Sequence, residues 1–118
     1  MNAVRARVTR SFTFEAAHFL PWHAGQCRNL HGHSYRLEVA VEGPVDENGV
    51  VIDFADVQAV VEREVVSHYD HSLLNDLLDN PTAEMVATDA WKRLEAAGLP
   101  LARVRLWETP TSSVEILR

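Results

Sequence analysis

The stretch HSYRLEVAVE, residues 33–42, decides the fold class. Tyr35, Leu37, Val39 and Val41 alternate with Ser34, Arg36, Glu38 and Glu42, the two-residue period of a strand with one buried face and one wet face. Gly43-Pro44 ends it, and Asn48-Gly49 is a turn signal before the short apolar run 50–52. Upstream, Val4, Ala6 and Val8 alternate with Arg5, Arg7 and Thr9; after a polar interruption at Arg10 the period resumes at Phe12, Phe14 and Ala16. Downstream the period lengthens. Asp53 is placed to cap a helix whose Val57, Val60, Val61 and Val65 share a face and which stops near Tyr69. A second helix begins at Asn80-Pro81-Thr82, with Asn80 or Thr82 as its cap. It carries the stripe Val86, Ala90, Leu94 and Ala97 and stops at Gly98-Leu99-Pro100. Residues 103–108 and 113–117 read as strands joined through Thr109-Pro110-Thr111. The order ββααββ predicts an α+β domain, a four-stranded antiparallel sheet with both helices on one face. Its two open edge strands predict pairing with further copies of the chain.

Composition bounds the function. The 118 residues, with no internal repeat or linker, are expected to form a single domain over 1–118. At 47% hydrophobic and 24% charged, the chain has the makeup of a globular domain with a packed core. Its formal charge of -6 has the wrong sign for a surface that neutralises phosphates, so nucleic acid is not an expected partner. No apolar run approaches the ~20 residues that cross a bilayer, so no membrane is expected either. The single cysteine, Cys27, has no internal disulfide partner, and MNAVRARVTRSF at the start lacks an apolar signal core. The expectation is a reducing, cytoplasmic setting.

Against this background, five of the seven His and Cys residues crowd into 18–33. His31 and His33, two apart on a strand, project from one face. If the first two strands pair as an antiparallel hairpin, His18 at the end of one lies beside His31 at the start of the other, and the three imidazoles converge. Gly32 between them removes a side chain and lets the backbone bend. Three neutral imidazoles with a fourth position free is the donor set of a catalytic zinc site. Cys27 lies in the twelve-residue connection 19–30, long enough to suggest function. Its neighbours Gly25, Gln26, Arg28 and Asn29 are polar, and a thiol beside a dication or Arg28 is drawn toward the thiolate form. With three histidines already completing a catalytic donor set, a general base is favoured for Cys27 over a fourth ligand. Asp70-His71, in the irregular stretch SHYDHSLLND, has the makeup of an acid–base relay in which a carboxylate orients an imidazole. Glu108 closes the third strand, where its carboxylate can accept from a planar N–H/NH2 edge. His23 and His68 lack comparable partners and read as structural or solvent-exposed.

FTFEAAH (12–18), Cys27 with HGHSY (31–35), VIDF (51–54), DHSLLND (70–76), NPTAE (80–84) and WETPTSSVEI (107–116) occur in an order that resembles the 6-pyruvoyl-tetrahydropterin synthase family. The closer likeness is to its bacterial branch, the 6-carboxy-5,6,7,8-tetrahydropterin synthases of queuosine biosynthesis. The resemblance implies a tunnelling fold (T-fold) whose subunits join through strand edges into trimers or hexamers. It implies zinc on His18, His31 and His33, Cys27 as the proton-abstracting base, and Asp70 with His71 as a proton-shuttling dyad contributed by an adjacent subunit. Glu108 would anchor the pterin ring, with Thr82 assisting in that pocket. The implied reaction converts 7,8-dihydroneopterin triphosphate to 6-carboxytetrahydropterin, acetaldehyde and triphosphate. A 6-pyruvoyl-forming lyase and a non-catalytic pterin- or zinc-binding module are the competing readings. The spacing of three residues between Cys27 and His31 resembles the bacterial branch, and Arg28 and Arg36 are the nearest cationic candidates for the triphosphate.

Overall fold

The computed structural model describes residues 4–118. The first two strands, β1 (Arg5–His18) and β2 (His31–Pro44), form a long antiparallel hairpin in unbroken register from Arg5↔Pro44 to His18↔His31. Its continuity explains Arg10. That side chain falls on the same face as Phe12 and Phe14, and its guanidinium donates to the Phe54 carbonyl at 2.8 Å at the edge of the core. Gly32 does not bend the strand. It pairs regularly with Ala17, and a Cβ there would stand 3.6 Å from the Ala16 carbonyl oxygen, an ordinary contact.

Asp53 caps helix α1 (Phe54–Val61) by accepting from the Ala55 amide at 2.8 Å. A π-helical turn, Glu62–Val66, follows and leads into the short helix α2 (Ser67–Tyr69). The wider turn rephases the helix so that Val57, Val61, Val65 and Tyr69 are all buried. Helix α3 (Ala83–Ala96) is capped by Thr82, which accepts from the Met85 amide at 3.2 Å. Of the two candidate caps, Thr82 is the one used. Gly98, at φ 95°, closes α3 in the left-handed conformation that glycine adopts without steric penalty. β4 (Leu101–Thr109) and β5 (Ser112–Leu117) complete the chain.

The expected four-stranded antiparallel sheet requires a correction. Among the described residues the sheet has five strands in the order β3-β1-β2-β4-β5, where β3 is the pair Ser72–Leu73, parallel to Ala16 and Ala17. Two residues are too few to show a period, so only the docking of 71–73 on the β1 edge creates this strand. The helices pack on one face, burying Phe14, Tyr35, Leu37, Val39, Val104 and Leu106 against Val61, Val65, Val86 and Leu94. The opposite face is a charge ladder, with Arg7–Glu42 at 3.0 Å, Arg103–Glu38 at 2.5 Å and Arg103–Glu115 at 3.3 Å.

The subunit is elongated, 57 × 23 × 22 Å, with a radius of gyration of 15.7 Å. A compact chain of this length would measure about 13.5 Å. The excess reflects the long hairpin. Among the described residues, no strand beyond β3 pairs with the outer edge of β1 from Arg5 to Phe14, nor with the outer edge of β5. No helix among the described residues is long and apolar enough to cross a membrane.

Candidate metal centre and active site

The hairpin register carries out the convergence expected of the histidines. His18, His31 and His33 meet at the closed end of the β1–β2 ladder, with ring centroids 4.5–5.2 Å apart. One donor atom from each ring lies within 4.8 Å of the others. Ligands at ~2.0–2.1 Å from a tetrahedral ion stand about 3.4 Å apart, so a small contraction suffices to coordinate one. Main-chain carbonyls orient two of the rings. His18 Nδ1 lies 2.7 Å from the Pro81 oxygen and His31 Nδ1 lies 2.7 Å from the Asn29 oxygen. A carbonyl only accepts, so each Nδ1 carries the proton and each Nε2 presents a lone pair, the outer-sphere arrangement of metal-binding histidines. His18 Nε2 and His33 Nε2 are buried and have no hydrogen-bond partner. Unpaired buried nitrogens are costly, and a cation between them removes that cost. The residues present therefore fit a metal ion.

Glu108 joins this group. Its Oε1 lies 3.4 Å from His18 Nε2 and 3.7 Å from His33 Nε2. The carboxylate is half-buried rather than a solvated strand end, and among the described residues it faces no lysine or arginine. Burial holds the His33 imidazole below its ordinary range, opposed by Glu108 and reinforced by His18 and His31. Neutral imidazole is the ligand form.

Cys27 is a half-buried free thiol in the 3-10 turn Gln26–Arg28, which is anchored by the Leu20 amide donating to the Cys27 carbonyl at 2.8 Å. With Asn29, Leu30, His31 and His33 it lines a cavity of about 460 Å³. The thiol thus shares its cavity with two of the three histidines. His23 has a local structural role, accepting from the Gly25 amide at 2.8 Å.

Asp70 and His71 do pair, with Asp70 Oδ2 2.9 Å from His71 Nδ1. The β1 edge clamps them: the Glu15 amide donates to Asp70 Oδ1 at 2.9 Å, and the His71 amide donates to the Glu15 carbonyl at 2.6 Å. These bonds, Glu15 first and His71 second, hold the Asp70 carboxyl below its ordinary range. His71 adopts φ 59°, a left-handed conformation that costs a non-glycine residue about 1 kcal/mol. The dyad does not face Cys27. His71 lines a separate cavity of about 430 Å³ with Glu15, Gly32, Ser34 and Ser72, and of the lining residues only His33 is common to both cavities. Thr82 serves α3 as its cap. The orienting carbonyls of Pro81 and Asn29 and the Glu15 backbone clamp escape sequence reading because any residue type supplies a main-chain N–H or C=O.

A sheet backed on one face by helices carries three converging imidazoles that could hold a metal ion, with a thiol nearby and a carboxylate–imidazole pair, the makeup of a metal-site enzyme. The family described as 6-pyruvoyl tetrahydropterin synthase matches residues 7–118. The chain belongs to that family. It is 43% identical over 114 residues to a 6-carboxy-5,6,7,8-tetrahydropterin synthase of Synechocystis sp., covering 90% of this chain and 88% of that protein. A dihydroneopterin monophosphate aldolase of Pyrococcus furiosus is 36% identical over 116 residues, covering 96% and 98%. The solved structure of Caenorhabditis elegans 6-pyruvoyl tetrahydropterin synthase superposes with a TM-score of 0.90 at 26% identity, covering 100% of this chain and 99% of that one.

Proposed function

We propose that the protein is a zinc-dependent 6-carboxy-5,6,7,8-tetrahydropterin synthase acting in queuosine biosynthesis in a reducing, cytoplasmic setting. The observation that carries this reading is the pair of buried, partnerless Nε2 atoms of His18 and His33 beside the Cys27 cavity, in a chain closely similar to a named synthase. When bound, zinc would supply Lewis-acid polarisation of the substrate's side-chain hydroxyls. The chain's own residues do the rest. Glu108, lacking a protein cation, accepts from the pterin N–H/NH2 edge and sets the ring against the imidazoles. Cys27 takes a proton on the side of its cavity. Asp70 fixes the tautomer of His71, which holds and returns a proton at Nε2. Thr82, the cap of α3, lies one residue from the Pro81 carbonyl that orients His18 and is assigned a supporting role in the pterin pocket.

The separation of the two cavities supports a dyad donated by a neighbouring subunit. So do the unpaired β1 and β5 edges and the elongated shape, which fit a homotrimer or a hexamer closed through strand edges. Incubating the zinc-loaded protein with 7,8-dihydroneopterin triphosphate and weighing the product by mass spectrometry tests the reading. The expected products are 6-carboxytetrahydropterin, acetaldehyde and triphosphate. A pyruvoyl product selects 6-pyruvoyl tetrahydropterin synthase activity, as named for the C. elegans structure, and an aldol cleavage product selects the aldolase activity named for the P. furiosus relative. Binding without turnover leaves a non-catalytic module. In the same assay Cys27→Ala is expected to abolish turnover with metal content unchanged; loss of the metal would make Cys27 a ligand.

A further inference from the structure

The first helical segment ends at Tyr69, the residue before the dyad, and Tyr69 is gripped from α3. Its side chain is fully buried against Phe14, with ring centroids 5.6 Å apart, and its hydroxyl donates to Asp89 Oδ2. Arg93, one turn further along α3, donates from Nε to the same oxygen at 2.8 Å. The Tyr69 carbonyl accepts from the Ser72 hydroxyl at 2.5 Å, closing a loop around Asp70 and His71. The metal site makes no use of these side chains, and a partly exposed i,i+4 ion pair of this kind is a small source of net stability. Its position is what distinguishes it. The left-handed His71 is a conformation that persists only where the surroundings over-determine it, and the two ends of the turn are held by Tyr69 and Ser72.

We propose that Tyr69, Asp89 and Arg93 are positioning residues that fix the backbone turn carrying Asp70 and His71. The proposal rests on the reading of Asp70–His71 as the proton-transfer pair, but it concerns the resting protein and is measured there. Turnover plays no part in the readout, so a failed assay for the synthase reaction leaves this test intact.

The experiment compares the zinc-loaded wild type with Tyr69→Phe and with Asp89→Asn by NMR. Two readouts are taken: hydrogen exchange of the His71 amide, and the imidazole ¹⁵N shifts of His71 at alkaline pH, which report the Nδ1–H tautomer that Asp70 selects. Losing a hydrogen bond to a charged group is expected to speed exchange of the His71 amide about tenfold or more. The ¹⁵N shifts are expected to move toward those of free histidine, while the Tyr35 and Leu37 amides in β2 keep their protection and zinc content is unchanged. Tyr69→Phe keeps the stacking on Phe14 and Asp89→Asn keeps the shape, so either variant can carry the test if the other folds poorly. Unchanged His71 readouts in the folded variants would overturn the proposal. So would a uniform rise in exchange across β2, which would make the cluster a source of global stability alone, or loss of the zinc.

Discussion

Removing one imidazole separates the metal site from the fold that presents it. His33 offers a clean perturbation because its Nε2 is buried without a hydrogen-bond partner among the described residues. In metal-free protein, His33→Ala deletes ring packing against His18 and Tyr35, at 5.2 and 5.6 Å, and also deletes an unpaired buried nitrogen. The two effects oppose, and a net change within about 1 kcal/mol is expected. In the presence of zinc the variants diverge. At free zinc a hundred times its Kd, a ligand that binds only the native state adds about 2.7 kcal/mol. Unfolding entropy of about 2.1 cal/mol/K per residue amounts to roughly 0.25 kcal/mol/K for this chain, so wild-type Tm should rise by about 11 °C. A change beside a metal ligand weakens binding by about 10–100-fold, and losing a ligand outright weakens it at least as much. At the same zinc concentration His33→Ala should then gain less than about 1.4 kcal/mol, or under about 6 °C. Differential scanning calorimetry at one protein concentration, with chelator and with zinc, reads both numbers. Equal zinc-dependent shifts in the two proteins, or none in the wild type, would refute the assignment of these histidines to a metal.

Two further outcomes follow from local geometry. Asp53→Ala removes the acceptor for the Ala55 amide and should cost about 1 kcal/mol in urea unfolding, with the m-value unchanged; a loss below about 0.3 kcal/mol would mean that α1 is held by packing alone. The Asp70 carboxyl is depressed from its ordinary value of 3.8 by the Glu15 amide and by His71. Its ionised form therefore contributes to holding the dyad at every pH above 3.8, and that contribution is lost only as pH falls through the depressed value. A ¹³C titration of the Asp70 carboxyl with a midpoint above 4 would contradict the clamp.

Much of the architecture was legible because burial leaves a period in the sequence. The alternation at 35–41 and 12–16, the valines of α1 and the stripe of α3 each state which side faces the core, and the sheet and both helices lie where those patterns put them. Arg10 looked like a break only because an arginine can lie on the inner face when its guanidinium finds a main-chain acceptor. β3 was illegible for a different reason: two residues become a strand by meeting an edge, and the edge belongs to another part of the chain.

For the site, residue chemistry and spacing determined the three ligand candidates, the thiol and the carboxylate–imidazole pair, since only a few side chains bind metals or move protons. Tertiary structure decided how they are used. The His18↔His31 register brings candidate ligands thirteen and fifteen residues apart to one point, and the Pro81 and Asn29 carbonyls select the tautomer that leaves the Nε2 atoms of His18 and His31 free. Docking of residues 70–73 on the β1 edge turns the dyad away from Cys27 toward a cavity of its own. Each of these depends on main-chain groups that every residue carries alike, so their partners exist only once the chain has folded.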